Sequence, residues 1–175
     1  MASGKTTFGR ALAERLGWNF LDLDSELEKE YGKPAGRIIE EEGERVFRLK
    51  ESMALKKTVG LRHTIVACGG GTPCYRDNME FMTLHGLTLW LVASPERIVE
   101  RILEAGPTRP LVAGKSRDEL MEFVCAHLLE RQPYYSRAQM RFSGEHLESG
   151  REIDAAVDSF LKNNGILTDT LKEIP

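Results

Sequence analysis

Two short apolar runs constrain the fold more than any other part of this chain. They are His63-Thr64-Ile65-Val66-Ala67-Cys68 and Leu87-Thr88-Leu89-Trp90-Leu91-Val92. Both are rich in branched and aromatic side chains and short enough to be strands. Neither alternates apolar with polar as a half-exposed strand would. Each must be covered on both faces, which is the situation of a strand in a parallel sheet flanked by helices. The remainder of the chain offers those helices. Phe8, Leu12 and Leu16 fall four apart, which predicts a helix over 5–16 stopped by Gly17. A strand over 18–23 follows, then a helix to Tyr31 capped by Asp24-Ser25 and broken by Gly32-Lys33-Pro34. Residues 35–59 read as helical with a kink near Gly43, and the acidic run 40–44 is a solvated face. Helices over 77–84, 95–103, 117–135 and 151–163 and a short strand over 140–142 complete the pattern. Gly106, Pro107, Pro110 and Gly114 keep 104–117 out of regular structure and make it a loop or lid. Strands alternating with helices along one chain of 175 residues predict a single α/β domain with a parallel sheet. Ligands of such sheets bind beyond the carboxyl ends of the strands.

The first residues, Ser3-Gly4-Lys5-Thr6-Thr7, match the back half of the phosphate-binding pattern G-x-x-x-x-G-K-[ST]. The chemistry behind that pattern is specific. Backbone N–H groups curl around phosphates, the lysine reaches the β and γ phosphates, and the hydroxyl after it ligates Mg²⁺. The bland alternative is an ordinary helix N-terminus. Asp22-x-Asp24 closes the next strand, where residues two apart face the same way. Such a pair suits Mg²⁺ and substrate donors, although Asp24 also suits a helix cap. On the helix after Gly43, Glu44, Arg48 and Glu51 are spaced to pair. They form either an exposed ladder or an arginine held by glutamates and aimed at an anion. Gly69-Gly70-Gly71 directly after a buried strand favours close backbone approach to a ligand over an ordinary turn. Arg109, in the lid loop, can close on phosphate, and Arg131 offers a second anchor for an anion.

Charge and cysteine content narrow the function. With 24 basic and 27 acidic groups the net charge is −3, against the basic excess that nucleic-acid or membrane-surface binding needs. Cys68, Cys74 and Cys125 are few, odd in number and not in C-x-x-C spacing, which points to a reducing compartment and a cytoplasmic protein. No apolar run is long enough to span a membrane. The four histidines are scattered and read as surface or packing residues.

Taken in order, Ser3-Gly4-Lys5-Thr6-Thr7, Asp22-x-Asp24, Gly43-Glu44-x-x-Phe47-Arg48-x-x-Glu51, Gly69-Gly70-Gly71, Arg109-Pro110-Leu111 and Arg131-x-Pro133-x-Tyr135 resemble the shikimate kinase family over nearly the whole chain. The resemblance implies a fold like the nucleoside-monophosphate kinases, with a five-stranded parallel sheet in order 2-3-1-4-5. A substrate-binding subdomain would cover about 24–51 and a lid about 104–117. It implies phosphorylation of the 3-hydroxyl of shikimate by ATP with Mg²⁺, a step of aromatic amino acid biosynthesis, carried out by a monomer.

By the same resemblance Ser3, Gly4, Lys5, Thr6 and Thr7 hold the ATP phosphates, with Thr6 and Asp22 on the metal. Asp24 orients or deprotonates the attacking hydroxyl. Arg48 and Arg131 grip the carboxylate, Gly70 and Gly71 contact the substrate, Arg109 closes onto the phosphates, and Arg101 stacks on adenine. The adenine loop falls at about 143–150. The alternatives are a related kinase such as a gluconate kinase, or a non-catalytic nucleotide-binding module. The family's first strand and first P-loop glycine would precede Met1. The expectation is therefore an upstream apolar strand in the natural chain, and without one a gap beside the strands of Cys68 and Val92.

Overall fold

A computed structural model of the chain describes residues 2–106 and 114–165. Its first helix, α1 (Lys5–Leu16), starts directly from the glycine-lysine-threonine segment and ends at Gly17 in the left-handed conformation. Next come β1 (Asn19–Asp22), α2 (Leu23–Tyr31), α3 (Ala35–Glu42), α4 (Glu44–Lys56) and β2 (Thr64–Ala67). A single 3-10 turn, Thr72–Cys74, leads to α5 (Asn78–His85), β3 (Leu89–Val92) and α6 (Pro95–Glu104). The described chain closes with α7 (Arg117–Tyr135), β4 (Met140–Ser143) and α8 (Gly150–Asn163).

Two sequence expectations are corrected. The segment 35–59 is not one kinked helix. Gly43 takes φ 88°, ψ 156°, a conformation that side-chain-bearing residues avoid, and it separates α3 from α4 outright. The cap of α2 is Asp22, not Asp24: Asp22 Oδ1 accepts from Asp24 N at 3.1 Å and Ser25 N at 3.3 Å. Asp24 therefore sits in the first helical turn, and the two aspartates are not neighbours on one strand face.

Strands pair in parallel as β1–β2, from Asn19↔Thr64 to Asp22↔Ala67, and as β3–β4, from Leu89↔Met140 to Val92↔Ser143. Among the described residues no ladder joins β2 to β3. The described strands thus form two separate parallel pairs. Phe8 and Leu12 of α1 pack with Leu91, Val157, Phe160 and Leu161 on one side. Leu23, Leu27, Ile38, Phe47 and Leu55 form a second core that seats α2, α3 and α4. α6 and α7 meet through Ile98, Val99, Ile102, Leu120 and Val124. The strand ends bring Asp22, the triple glycine and the 143–150 loop to one edge. Among the described residues no helix is long and apolar enough to cross a membrane.

Candidate active site

Ala2 (φ 44°) and Gly4 (φ 88°) both lie in the left-handed region, so the backbone curls tightly just before α1. The first helical bond runs from Phe8 N to the Gly4 carbonyl at 2.8 Å, and no side chain caps the helix. The N–H groups of residues 4–7 stay outside the helix ladder, at the positive end of the helix dipole. A Cβ on Gly4 would come within 2.6 Å of Leu147 Cδ1, so glycine here serves both the turn and close packing. The Thr6 hydroxyl donates to Asp22 Oδ2 at 2.9 Å. Threonine and aspartate thus form an oxygen pair of the hard-donor type that Mg²⁺ takes alongside phosphate, and these residues fit that ion.

The opposite side of the site is built around a buried carboxylate. Glu51 is 0% exposed. Its Oε2 accepts from Arg48 Nη1 at 2.8 Å and its Oε1 from Thr72 Oγ1 at 2.6 Å. Glu44 accepts from Arg48 Nη2 at 3.2 Å. The pairing expected from spacing is present, and Arg48 is an organised group, not part of a solvated ladder: its side chain is 19% exposed. Burial disfavours the Arg48 charge, but Glu51 and Glu44 outweigh it and hold its pKa above the ordinary arginine value.

The glycines acquire a physical reason here. A Cβ on Gly71 would lie 2.5 Å from Arg48 Cζ, and one on Gly69 would lie 2.5 Å from Glu51 Oε1 and 3.2 Å from Asp24 Oδ1. Part of the signal attributed to a ligand is thus room for the protein's own charged side chains. The Tyr135 hydroxyl donates to the Gly70 carbonyl at 2.6 Å and fastens the end of α7 to this turn.

Two half-buried cysteines, Cys68 and Cys74, flank the glycine turn in sequence. Desolvation first, then the charge of Glu51, pushes the Cys68 thiol up to about 12. Lys5 opposes the shift, while Asp24 and Asp22 add to it, so all four charged groups surround the end of β2. The Cys74 thiol is raised by burial and pulled back by Arg131 and Arg48. Tyr135 is raised by burial and opposed first by the charge of Arg131. Asp24 and Glu51 lie against the start of the glycine turn and Arg48 against its end.

Arg101 reaches a third region. It donates to the Gly144 carbonyl at 2.8 Å, to Glu148 Oε1 at 2.6 Å and to the Ala2 carbonyl at 3.4 Å. It brackets the 144–148 loop against the phosphate loop, a role that spacing alone did not reveal. Glu145 accepts from Ser94 N and Oγ, and those bonds hold its pKa below the usual carboxylate range. His146, Glu148 and Glu152 approach within 4.8 Å, but Glu148 is engaged by Arg101 and Glu152 completes the capping box of α8. Arg109 lies outside the described residues. The buried polar groups that the sequence motifs did not bring forward are Ser52, Thr72 and Asn78. Only the position of Thr72, directly after the triple glycine, could have signalled it.

A tight glycine turn at a helix N-terminus, a guanidinium held by a buried carboxylate and parallel strands flanked by helices together suit the P-loop kinases of small molecules. The shikimate kinase family profile matches residues 1–162. The chain belongs to the shikimate kinase family. It is 41% identical to the shikimate kinase of Phocaeicola vulgatus over 162 residues, covering 93% of each chain. It superposes on the crystal structure of the Bacteroides thetaiotaomicron shikimate kinase with a TM-score of 0.91 at 36% identity, covering 94% of both. The Acinetobacter baumannii shikimate kinase in complex with shikimate matches at TM-score 0.79 and 30% identity, covering 94% of this chain and 89% of that one.

Proposed function

We propose that this protein transfers the γ-phosphoryl group of ATP to the 3-hydroxyl of shikimate. The observation that carries this reading is the guanidinium of Arg48, fixed by buried Glu51 against Gly71; Arg131, whose charge reaches Cys74 and Tyr135 as that of Arg48 does, is assigned to the same carboxylate. A planar guanidinium pair matches a carboxylate. Asp24, beside Gly69, serves the acceptor hydroxyl at the other end of a small polyol acid. It orients the hydroxyl and takes its proton as the oxygen attacks.

Ser3, Gly4 and Thr7 cradle the phosphates with their backbone, and Lys5 neutralises the charge that develops on the transferred group. Thr6 and Asp22 would hold Mg²⁺, which when bound supplies further neutralisation of phosphate charge. Gly70 and Gly71 line the acceptor, and Arg101 borders the adenine region through its hold on the 144–148 loop. Arg109 is assigned to the phosphates by its place in the sequence pattern. Catalysis is then mostly positioning and charge complementarity in a site that leaves little else to do.

We read the enzyme as one domain, with an acceptor-binding part over 24–51 and a lid over 104–117, acting as a cytoplasmic monomer on small-molecule substrates. The test is ADP release with ATP-Mg and a panel containing shikimate and gluconate. Shikimate-dependent turnover is expected; turnover with gluconate alone, or ATP binding without any turnover, would overturn the assignment.

A further inference from the structure

Behind Arg48 runs a chain of buried polar groups of which only Glu51 belongs to the motifs named above. Glu51 Oε1 accepts from Thr72 Oγ1 at 2.6 Å, the Thr72 carbonyl accepts from Asn78 Nδ2 at 2.8 Å, and Asn78 Oδ1 accepts from Ser52 Oγ at 2.6 Å. Thr72, Asn78 and Glu51 are 0% exposed and Ser52 is 6% exposed. Because Glu51 and Ser52 are consecutive on α4, the chain closes into a ring through the 72–74 turn and α5. Among the described residues no buried side-chain nitrogen or oxygen is left without a partner.

Apolar side chains of similar volume often hold such elements together as well or better. A ring of polar groups does something apolar packing cannot: it fixes the orientation of a carboxylate. With Arg48 as its only partner, Glu51 could rotate together with the guanidinium. The second bond, from Thr72, ties the other oxygen to the main body of the fold, so that Arg48 has one direction in which to present its remaining donors.

We propose that Thr72 is a positioning residue for shikimate binding. Its hydroxyl orients Glu51, Glu51 orients Arg48, and Asn78 with Ser52 holds Thr72 in place. The inference rests on Arg48 being the carboxylate anchor. The side chain permits a clean separation of shape from hydrogen bonding: Thr72→Val keeps the shape and removes the donor, while Thr72→Ser keeps the donor.

Steady-state kinetics with shikimate and ATP varied separately test it. Thr72→Val is expected to raise KM for shikimate about tenfold, the worth of one hydrogen bond to a charged group. It should change kcat and KM for ATP by less than about twofold, and Thr72→Ser should return KM to near the parent value. In an Arg48→Lys background, adding Thr72→Val should change KM for shikimate by less than about twofold, because the group it orients is gone. A tenfold effect that persists there overturns the proposal, as does an equal rise in KM for ATP. If Thr72→Val does not fold by circular dichroism, Thr72→Ala replaces it. Failure of both to fold while Thr72→Ser folds would assign the hydroxyl to stability and also overturn the proposal. Arg48→Leu separates the two levels. No change in KM for shikimate there removes the anchor itself, whereas a large rise with Thr72→Val at the parent KM removes only the role of Thr72.

Discussion

At the loop proposed for the phosphates, Thr6 and Thr7 are exposed and the first backbone N–H groups of α1 lie outside the helix ladder. On the acceptor side, Arg48 is largely buried, Glu51 is wholly so, and hydrogen bonds tie both to α4 and the glycine turn. The difference follows from what each ligand brings. A triphosphate carries several charges and can organise a loop around itself. A small acid has one carboxylate and a few hydroxyls, so its pocket must be set before it arrives, or the ordering would be subtracted from its affinity. On this reading the acceptor side is coupled more tightly to the stability of the fold than the exposed threonines of the phosphate side are.

That contrast can be broken most sharply at Asp24, which is exposed and so of little consequence for stability. Asp24→Asn is expected to lower kcat by about 10²- to 10⁴-fold while the melting temperature moves by less than about 2 °C. Unchanged kcat in the ADP-release assay would remove Asp24 from the chemistry. Next in size, Lys5→Met should cost about 10²- to 10³-fold in kcat, again without loss of stability. Arg48→Leu should behave differently. KM for shikimate should rise by about 10²-fold, KM for ATP should stay nearly constant, and chemical denaturation should register a loss of about 3 kcal/mol as Glu51 loses its cation. If the Arg48 variant were as stable as the Lys5 variant, the contrast between the two sides would fail.

The smallest effect concerns the thiols. With its pKa near 12, Cys68 should resist iodoacetamide at pH 8 while exposed Cys125 reacts, as read by peptide mass spectrometry. The unfolded chain releases the Cys68 proton at its ordinary value near 9, and the folded chain holds it to about 12. Stability should therefore fall as pH rises between those values.

The elements of the fold were legible where side-chain period and punctuation agree. The period of Phe8, Leu12 and Leu16 and the stop at Gly17 locate α1 to the residue. They were less legible where one backbone angle decides. A glycine at φ 88°, ψ 156° ends a helix, yet the sequence shows only a glycine. Asp22 and Asp24 were both singled out, but which of them caps α2 depends on where β1 stops, and a four-residue strand has no margin for error. In the site, the pairing of Arg48 with Glu44 and Glu51 could be read because residues three and four apart on a helix are neighbours. The ring through Ser52, Thr72 and Asn78 could not. Its members are separated by up to 26 residues, and small polar side chains give no sign in a sequence of being buried.

The bond from Tyr135 to the Gly70 carbonyl has a mechanical consequence. α7 runs 19 residues from its capped start after Ser116, which makes it about 28 Å long. One end follows the segment 104–117, and the other carries Arg131 and, bonded to the Gly70 carbonyl, Tyr135. A helix of that length is a lever arm. A tilt of about 5° at the pocket sweeps an arc of about 2.5 Å at Ser116, given the rise of an α-helix. If Arg131 shifts in this way when a substrate binds, the start of α7 would move further than the pocket end does.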